Sequence, residues 1–111
     1  MSSQLRPHYQ WSTDHKGLGD KLLCIVVTEA LLLEDKTVDI AREVPKYVTN
    51  DVLAAYCARQ LGFASTSLNQ HSIGDRYESE LGHMYKTSGR DLAGVRAEVG
   101  RLILVLPKGL R

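Results

Sequence analysis

The polar side chains between Val52 and Ile73 are of the types that read nucleic-acid bases. Asparagine and glutamine bond bidentately to adenine in the major groove, and serine and threonine donate or accept at several base edges. Arg59 is the only charged residue of this stretch, so no acid is present to repel phosphate groups. The sequence therefore predicts a base-reading row of Ser65, Thr66, Ser67, Asn69 and Gln70. Phosphate contacts are expected from Arg59, Lys46 and Arg76, and from backbone amides at the start of a helix.

The other chemistry-bearing residues do not form an enzyme or metal pattern. No two histidines have the i,i+4 spacing of a helical zinc pair, and neither Cys24 nor Cys57 belongs to a C-x-x-C motif. Cys57 and His71 could imitate a nucleophile and its base, but a free cysteine usually behaves as a small buried hydrophobe. Gly17 and Gly19 lack the spacing that points backbone amides at a phosphate. We therefore expect no catalytic residue, no metal and no cofactor.

The residues around the polar row match the constraints of a helix-turn-helix. Two short helices that cross closely need a small residue at the crossing and a residue able to take positive φ at the turn. Ala58 supplies the first and Gly62 the second. Cys57, Leu61, Phe63 and Leu68 occupy the inward positions, while His71 occupies a position that is normally apolar. The pattern predicts a helix-turn-helix over residues 51–72.

This stretch resembles the helix-turn-helix of phage Cro-type repressors. The resemblance lies in residues 58–63, ARQLGF, and in residues 67–70, SLNQ. Residues 37–42 resemble the lead-in helix of the central-control (Kor) repressors of conjugative plasmids, and residues 104–107 are similar to a run in that group. The resemblance implies a dimeric transcriptional repressor. Its second helix, residues 66–70, would read the major groove of double-stranded DNA, and its C-terminal part would pair the subunits.

The same spacing of alanine and glycine also packs two helices of an ordinary helical hairpin. In that interpretation the polar row is a solvated face, and the chain is a small helical protein-interaction module without DNA binding. An anti-repressor, an immunity-type inhibitor and an assembly subunit belong to this class. Its interface would be formed by the apolar helix of residues 22–33 and by the C-terminal segment.

Helical periodicity places these residues in a mainly α, small helical domain. Residues 1–16 are expected to form a flexible arm, ordered only if Trp11 packs on something. Residues 17–87 form the predicted helical domain, although the β-branched run 25–27 is also compatible with a strand. Its expected helices are an apolar one following an Asp20 cap, a short one over 38–44 between Thr37 and Pro45, and one from about 50 to Leu61 ended by Gly62. Another short helix reaches about 72, and the last covers about 72–86 with Ile73, Tyr77, Leu81 and Met84 at helical spacing.

Residues 88–111 form the predicted dimerisation segment. Ser88 opens a capping box with Asp91, and an apolar stripe of Leu92, Val95, Val99, Leu102 and Leu106 follows at coiled-coil spacing. Gly94 and Gly100 oppose one continuous helix, and residues 102–106 also suit a short C-terminal strand. The sequence is compatible with both the helix and the strand. In either form the stripe predicts a homodimer, because a twofold partner would cover it.

Composition and charge limit the classes of protein to which the chain can belong. The chain has 111 residues, of which 43% are apolar and 24% charged, as expected for one globular domain. Two cysteines without a pairing pattern favour a reducing compartment, and no apolar run is long enough to cross a bilayer, so a cytoplasmic protein without membrane contact is expected. The net charge of +1 is uneven, because residues 86–111 carry six basic and two acidic side chains. That asymmetry suits an anionic partner or merely a solvated face.

Overall fold

A computed structural model of the chain describes residues 5–62 and 70–105. Within these ranges the protein is helical and contains no strand, which confirms the mainly α class. The helices are α1 (Lys16–Glu34), α2 (Ile40–Glu43), α3 (Pro45–Val48), α4 (Asn50–Gln60), α5 (Gln70–Thr87) and α6 (Ala93–Val105), preceded by a 3-10 turn over His8–Gln10. None of these helices is long and apolar enough to cross a membrane.

The helices α1 and α5 form the most extensive helix–helix contact in the fold. Two glycines allow the close approach. A β-carbon at Gly19 would overlap the Glu78 carbonyl group, and one at Gly82 would lie 2.7 Å from the His15 carbonyl oxygen. α1 also begins earlier than expected, at Lys16 rather than after Asp20. Contact with α5 explains this start, because the His15 backbone N–H donates to the Ser79 hydroxyl at 2.9 Å.

The short helices α2 and α3 correct the expectation for residues 37–44. Asp39, not Thr37, caps α2, and its carboxylate accepts from the Arg42 backbone N–H at 3.3 Å. Pro45 does not simply stop a helix but opens α3. A proline is tolerated in the first turn because the N–H that it lacks would have no partner there. The following Tyr47 is buried against α1 and α4, so the proline positions a core residue.

The helix α5 corrects one predicted boundary, while most of the short helix predicted before Ser72 lies outside the described residues. The helix α5 runs without a break from Gln70 to Thr87, so the boundary expected near Ser72 is wrong. The predicted periodicity over the rest of the helix is confirmed, because Ile73, Tyr77, Leu81 and Met84 are all buried. Serine is a weak helix former, and the signal that it gives is overridden here by burial of this apolar row.

The described part of the C-terminal segment forms the helix α6, and its apolar stripe packs against other helices of the same chain. Val95, Val99 and Leu102 are fully buried, with α6 packed on α1 and α5, while Leu106 lies outside the described residues. The stripe is therefore not free to receive a second subunit. The predicted capping box is also wrong. The Ser88 hydroxyl bonds the carbonyls of Tyr85 and Asp91, and the Asp91 carboxylate instead accepts from the Ala93 N–H at 2.9 Å.

Candidate functional site

Most of the predicted base-reading row lies outside the described residues. This applies to Ser65, Thr66, Ser67 and Asn69, and also to the inward Phe63 and Leu68. Gln70 is the first described residue of α5, where its backbone is helical. The assignment of these side chains to DNA bases therefore stays a prediction.

The three predicted phosphate contacts lie in different environments. Arg59 is exposed near the C-terminal end of α4, and no described residue forms an ion pair with it. The Lys46 ammonium lies 3.1 Å from the Glu43 carboxylate. The Arg76 guanidinium is directed into the fold, where Nη1 donates to the Trp11 carbonyl at 2.9 Å. Of the three, Arg59 is the side chain best placed to meet an external anion.

The helices α4 and α5 cross at the start of α4. A β-carbon at Gly74 would lie 3.2 Å from the Asn50 Cα, which places the crossing at the start of α4. Ala58 is exposed and takes no part in this α4–α5 crossing, and the second helix that it was predicted to contact lies mostly outside the described residues. The apolar side of α4 carries Leu53, Ala54, Tyr56 and Cys57, and Ala58 is turned about 100° from Cys57 on the helix.

Two parts of the predicted motif agree with the structure. Gly62 follows α4 with a φ of 81°, as the turn requires. Cys57 is fully buried, and burial raises the pKa of its thiol to about 12. The prediction that Cys57 is a core residue is confirmed by its burial.

A buried polar cluster that the sequence analysis missed joins α4, α5 and α6. The Glu98 carboxylate, 1% exposed, accepts the hydroxyl of Tyr56 at 2.8 Å and that of Tyr77 at 2.9 Å. Arg101 donates to its other oxygen at 2.8 Å. Burial and the nearby carboxylate raise the pKa of both tyrosines well above their usual value, so they remain donors. The one available signal was the place of Glu98 between Val95 and Leu102 on the apolar stripe.

A second buried acid, Glu78, lies where α5 passes over Gly19. It is bonded to the Asp20 carboxyl, and burial, followed by Asp20 and Asp75, raises its pKa to about 8. Lys16 lowers the pKa of Glu78, but only partly, because its ammonium is paired with Asp75 at 3.4 Å. At neutral pH the proton is therefore held mainly on Glu78 and bridges the two carboxyl groups. Within the described ranges no group of three His, Cys, Asp or Glu side chains is placed to hold a metal ion.

Both α1 and α6 carry exposed aliphatic side chains. These are Ile25, Leu32 and Leu33 on α1 and Leu104 and Val105 on α6, and Leu33 and Leu104 are 85% and 81% exposed. Among the described residues the remaining large exposed apolar side chain is Tyr9. The two helices meet at an ion pair, in which Arg96 Nε and Nη2 lie 3.0 and 3.3 Å from the Glu29 carboxylate oxygens. We call these five aliphatic residues, together with Glu29 and Arg96, the α1–α6 face.

Comparison with known proteins adds no relative: no family model, no curated protein and no solved structure matches the chain.

Proposed function

We propose that the chain is a small helical interaction module that assembles with a second copy of itself through the α1–α6 face. The observation that carries the proposal is the concentration of exposed aliphatic side chains on two helices that pack together. Isolated exposed leucines are ordinary, whereas a group of them on one surface marks a site of protein contact. The proposal moves the interface from the stripe of α6, which is buried, to the opposite side of the same helix.

Charge on this face favours a second copy as the partner. Glu29 and Arg96 remain about half exposed although they are paired, so each can accept another contact. In a twofold arrangement Glu29 of one copy approaches Arg96 of the other, and the reverse contact forms at the same time. The aliphatic residues then meet aliphatic residues. A net charge of +1 leaves little long-range repulsion between two copies.

Light scattering on the full chain tests the proposal. We expect a dimer for the parent and monomers for Leu33→Asp and Leu104→Asp, because a buried unpaired carboxylate opposes association strongly. Tyr9→Asp is the matched control, since it removes an equally exposed apolar side chain outside the face. It should remain dimeric, and circular dichroism should show that all variants keep their helices. A parent that stays monomeric as its concentration is raised would refute the assembly.

DNA binding is the second candidate, and a specific observation favours it. Arg59 and Gln60 are exposed at the end of α4, directly before the left-handed Gly62 and the acid-free stretch that follows. A cation at this position can contact a phosphate, and the amides of Asn69 and Gln70 are of the types that bond to base edges. The exposed position of Ala58 and the internal contact of Arg76 do not add support, so this function ranks below self-assembly.

The salt dependence of binding to random duplex DNA separates the two functions. If the chain binds DNA, its affinity should fall steeply with salt, and Arg59→Ala should reduce the logarithmic slope by about one. Arg42→Ala, which removes an exposed arginine from α2, serves as the control. Asn69→Ala and Gln70→Ala should each weaken specific binding by about 1–3 kcal/mol and leave stability unchanged. The absence of any salt-dependent binding leaves the chain in the interaction class.

A further inference from the structure

The residues before α1 form a strap that is tied to α5 through a buried acid. We define the N-terminal strap as residues 5–14. The Arg6 backbone N–H donates to Glu80 Oε2 at 2.8 Å, and Arg6 Nη2 donates to Glu80 Oε1 at 2.8 Å. The Glu80 side chain is fully buried, whereas that of Arg6 is one third exposed. The strap therefore supplies the counter-charge of a carboxylate that lies inside the fold.

Trp11 closes the strap over the same helix. Its side chain is buried in the core at a ring-centroid distance of 6.2 Å from Tyr77. The indole N–H donates to the Arg6 carbonyl at 2.8 Å, which folds the strap back on itself. Arg76 then donates to the Trp11 carbonyl, while its own Nε finds no acceptor among the described residues. The expected condition for an ordered arm, packing of Trp11, is thus met.

Two histidines flank this attachment. His83 follows Glu80 by one turn of α5, and its ring centroid lies 6.2 Å from that of His15 at the start of α1. The groups that face His83 are Arg6 from the strap, His15 from α1 and Glu80 from α5 itself. Burial, then Arg6 and His15, lower the pKa of His83 below its usual value, and Glu80 opposes them. At neutral pH His83 is uncharged, and Arg6 and Glu80 balance each other.

We propose that the N-terminal strap is an acid-operated latch, which opens when His83 becomes protonated. An imidazolium ion at His83 beside the Arg6 guanidinium places two positive charges around the single Glu80 carboxylate. Repulsion then weakens the Arg6–Glu80 contact, which holds the start of the strap. Opening uncovers Trp11 and the side of α5 that carries Tyr77 and Glu80.

The direction of the pH effect follows from the lowered pKa of His83. An unfolded or released histidine titrates near 6.5, and the latched form takes up its proton only at lower pH. The stabilisation of the latched form is therefore complete above pH 6.5 and is lost as the pH falls through the lower pKa of the latched state. Strap opening is confined to acid conditions.

Fluorescence of the full chain tests the latch directly, because Trp11 is the only tryptophan. As the pH falls below 6.5, the emission maximum should move to longer wavelength while far-ultraviolet circular dichroism stays unchanged. The position of the maximum is the quantity to follow, since a nearby imidazolium quenches indole emission without exposing it. An emission maximum that stays constant until the helices themselves unfold would overturn the proposal.

Variants identify the groups that operate the latch. The variant His83→Gln should lose the acid-induced shift, whereas the control His71→Gln removes a histidine from outside the His15–His83 contact and should keep it. Arg6→Ala should show the long-wavelength emission already at neutral pH, because Glu80 then loses the strap as its partner. An acid shift in His83→Gln equal to that of the parent, or parent-like neutral emission from Arg6→Ala, would contradict the mechanism.

Discussion

Glu78 holds a proton at a pH where most glutamates have lost theirs, and the reason is local. Its carboxyl group is buried beside a second carboxyl group, so a charge on it would lack water and meet a like charge. The ordinary pKa of 4.5 applies to the unfolded chain, and the folded chain shifts it to about 8. Between these values the folded protein binds more protons than the unfolded one. Stability must therefore fall as the pH rises through this window.

The variant Glu78→Gln should remove this pH dependence. Its amide can donate to Asp20 as the protonated acid does, but it does not titrate. Between pH 6.5 and about pH 8 the free energy of unfolding of the parent should decrease and that of the variant should stay level. Near pH 8 the variant should be more stable by at least about 1 kcal/mol, the equivalent of about one pKa unit.

Urea titrations at the two pH values make this measurement, and they avoid the acid range in which His83 titrates. Glu34→Gln is the control, because Glu34 is an exposed carboxyl group at the end of the same helix as Asp20. It should behave as the parent. Equal pH dependence in the parent and Glu78→Gln would show that the Asp20–Glu78 contact does not hold the proton.

Residue types alone indicated little of this buried chemistry. Cys57 was predictable as a core residue because it lies on an apolar pattern. Glu80 was not, because its partner Arg6 is 74 positions away in the sequence, and a local pattern contains no information about such a pair. Glu98 stood visibly among apolar residues, but its two tyrosine donors come from other helices.

At the scale of elements, the position of the α4–α5 crossing decides which small residue is essential. Gly74 contacts the backbone at Asn50, whereas Ala58 faces outward. Gly74→Ala should therefore destabilise the fold by about 1–3 kcal/mol through overpacking. Ala58→Leu should change stability by less than about 0.5 kcal/mol, as exposed substitutions usually do.

Urea unfolding of both variants compares these positions, and Gly100 provides the matched control. A β-carbon at Gly100 on α6 would meet nothing within 4 Å, so Gly100→Ala should gain up to about 1 kcal/mol from helix propensity. A large loss for Ala58→Leu with none for Gly74→Ala would return the crossing to the end of α4, as a helix-turn-helix requires.

Helix existence was more predictable than helix boundaries. Periodicity identified α4 with its terminating glycine, the apolar row of α5 and the stripe of α6. Boundaries depended on tertiary contact, as the early start of α1 against Ser79 and the use of Pro45 to open α3 show. Local propensities describe a free segment, and packing against α5 contributes more than the differences of a few tenths of a kcal/mol between them.

At the scale of the whole molecule, composition was sufficient to predict one small helical domain, but not which apolar surfaces cover each other. The stripe of α6 suggested a subunit interface because nothing in the sequence showed that α1 and α5 already cover it. The α1–α6 face was left exposed instead, although α1 reads as apolar around most of its circumference. Which side of such a helix stays exposed depends on where the neighbouring helices pack. That arrangement is set by contacts between residues far apart in the sequence, which a local pattern does not show.

The Glu98 cluster also has a consequence for the timing of folding. During synthesis Tyr56 and Tyr77 leave the ribosome before Glu98, so α4 and α5 cannot pair their buried hydroxyl groups until α6 has been made. The contact between the strap and α5 is delayed in the same way, since Arg6 is synthesised early and its acceptor Glu80 much later. Contacts that join distant parts of a chain are slow to form. The buried Glu98 cluster is therefore completed only after α6 has been synthesised.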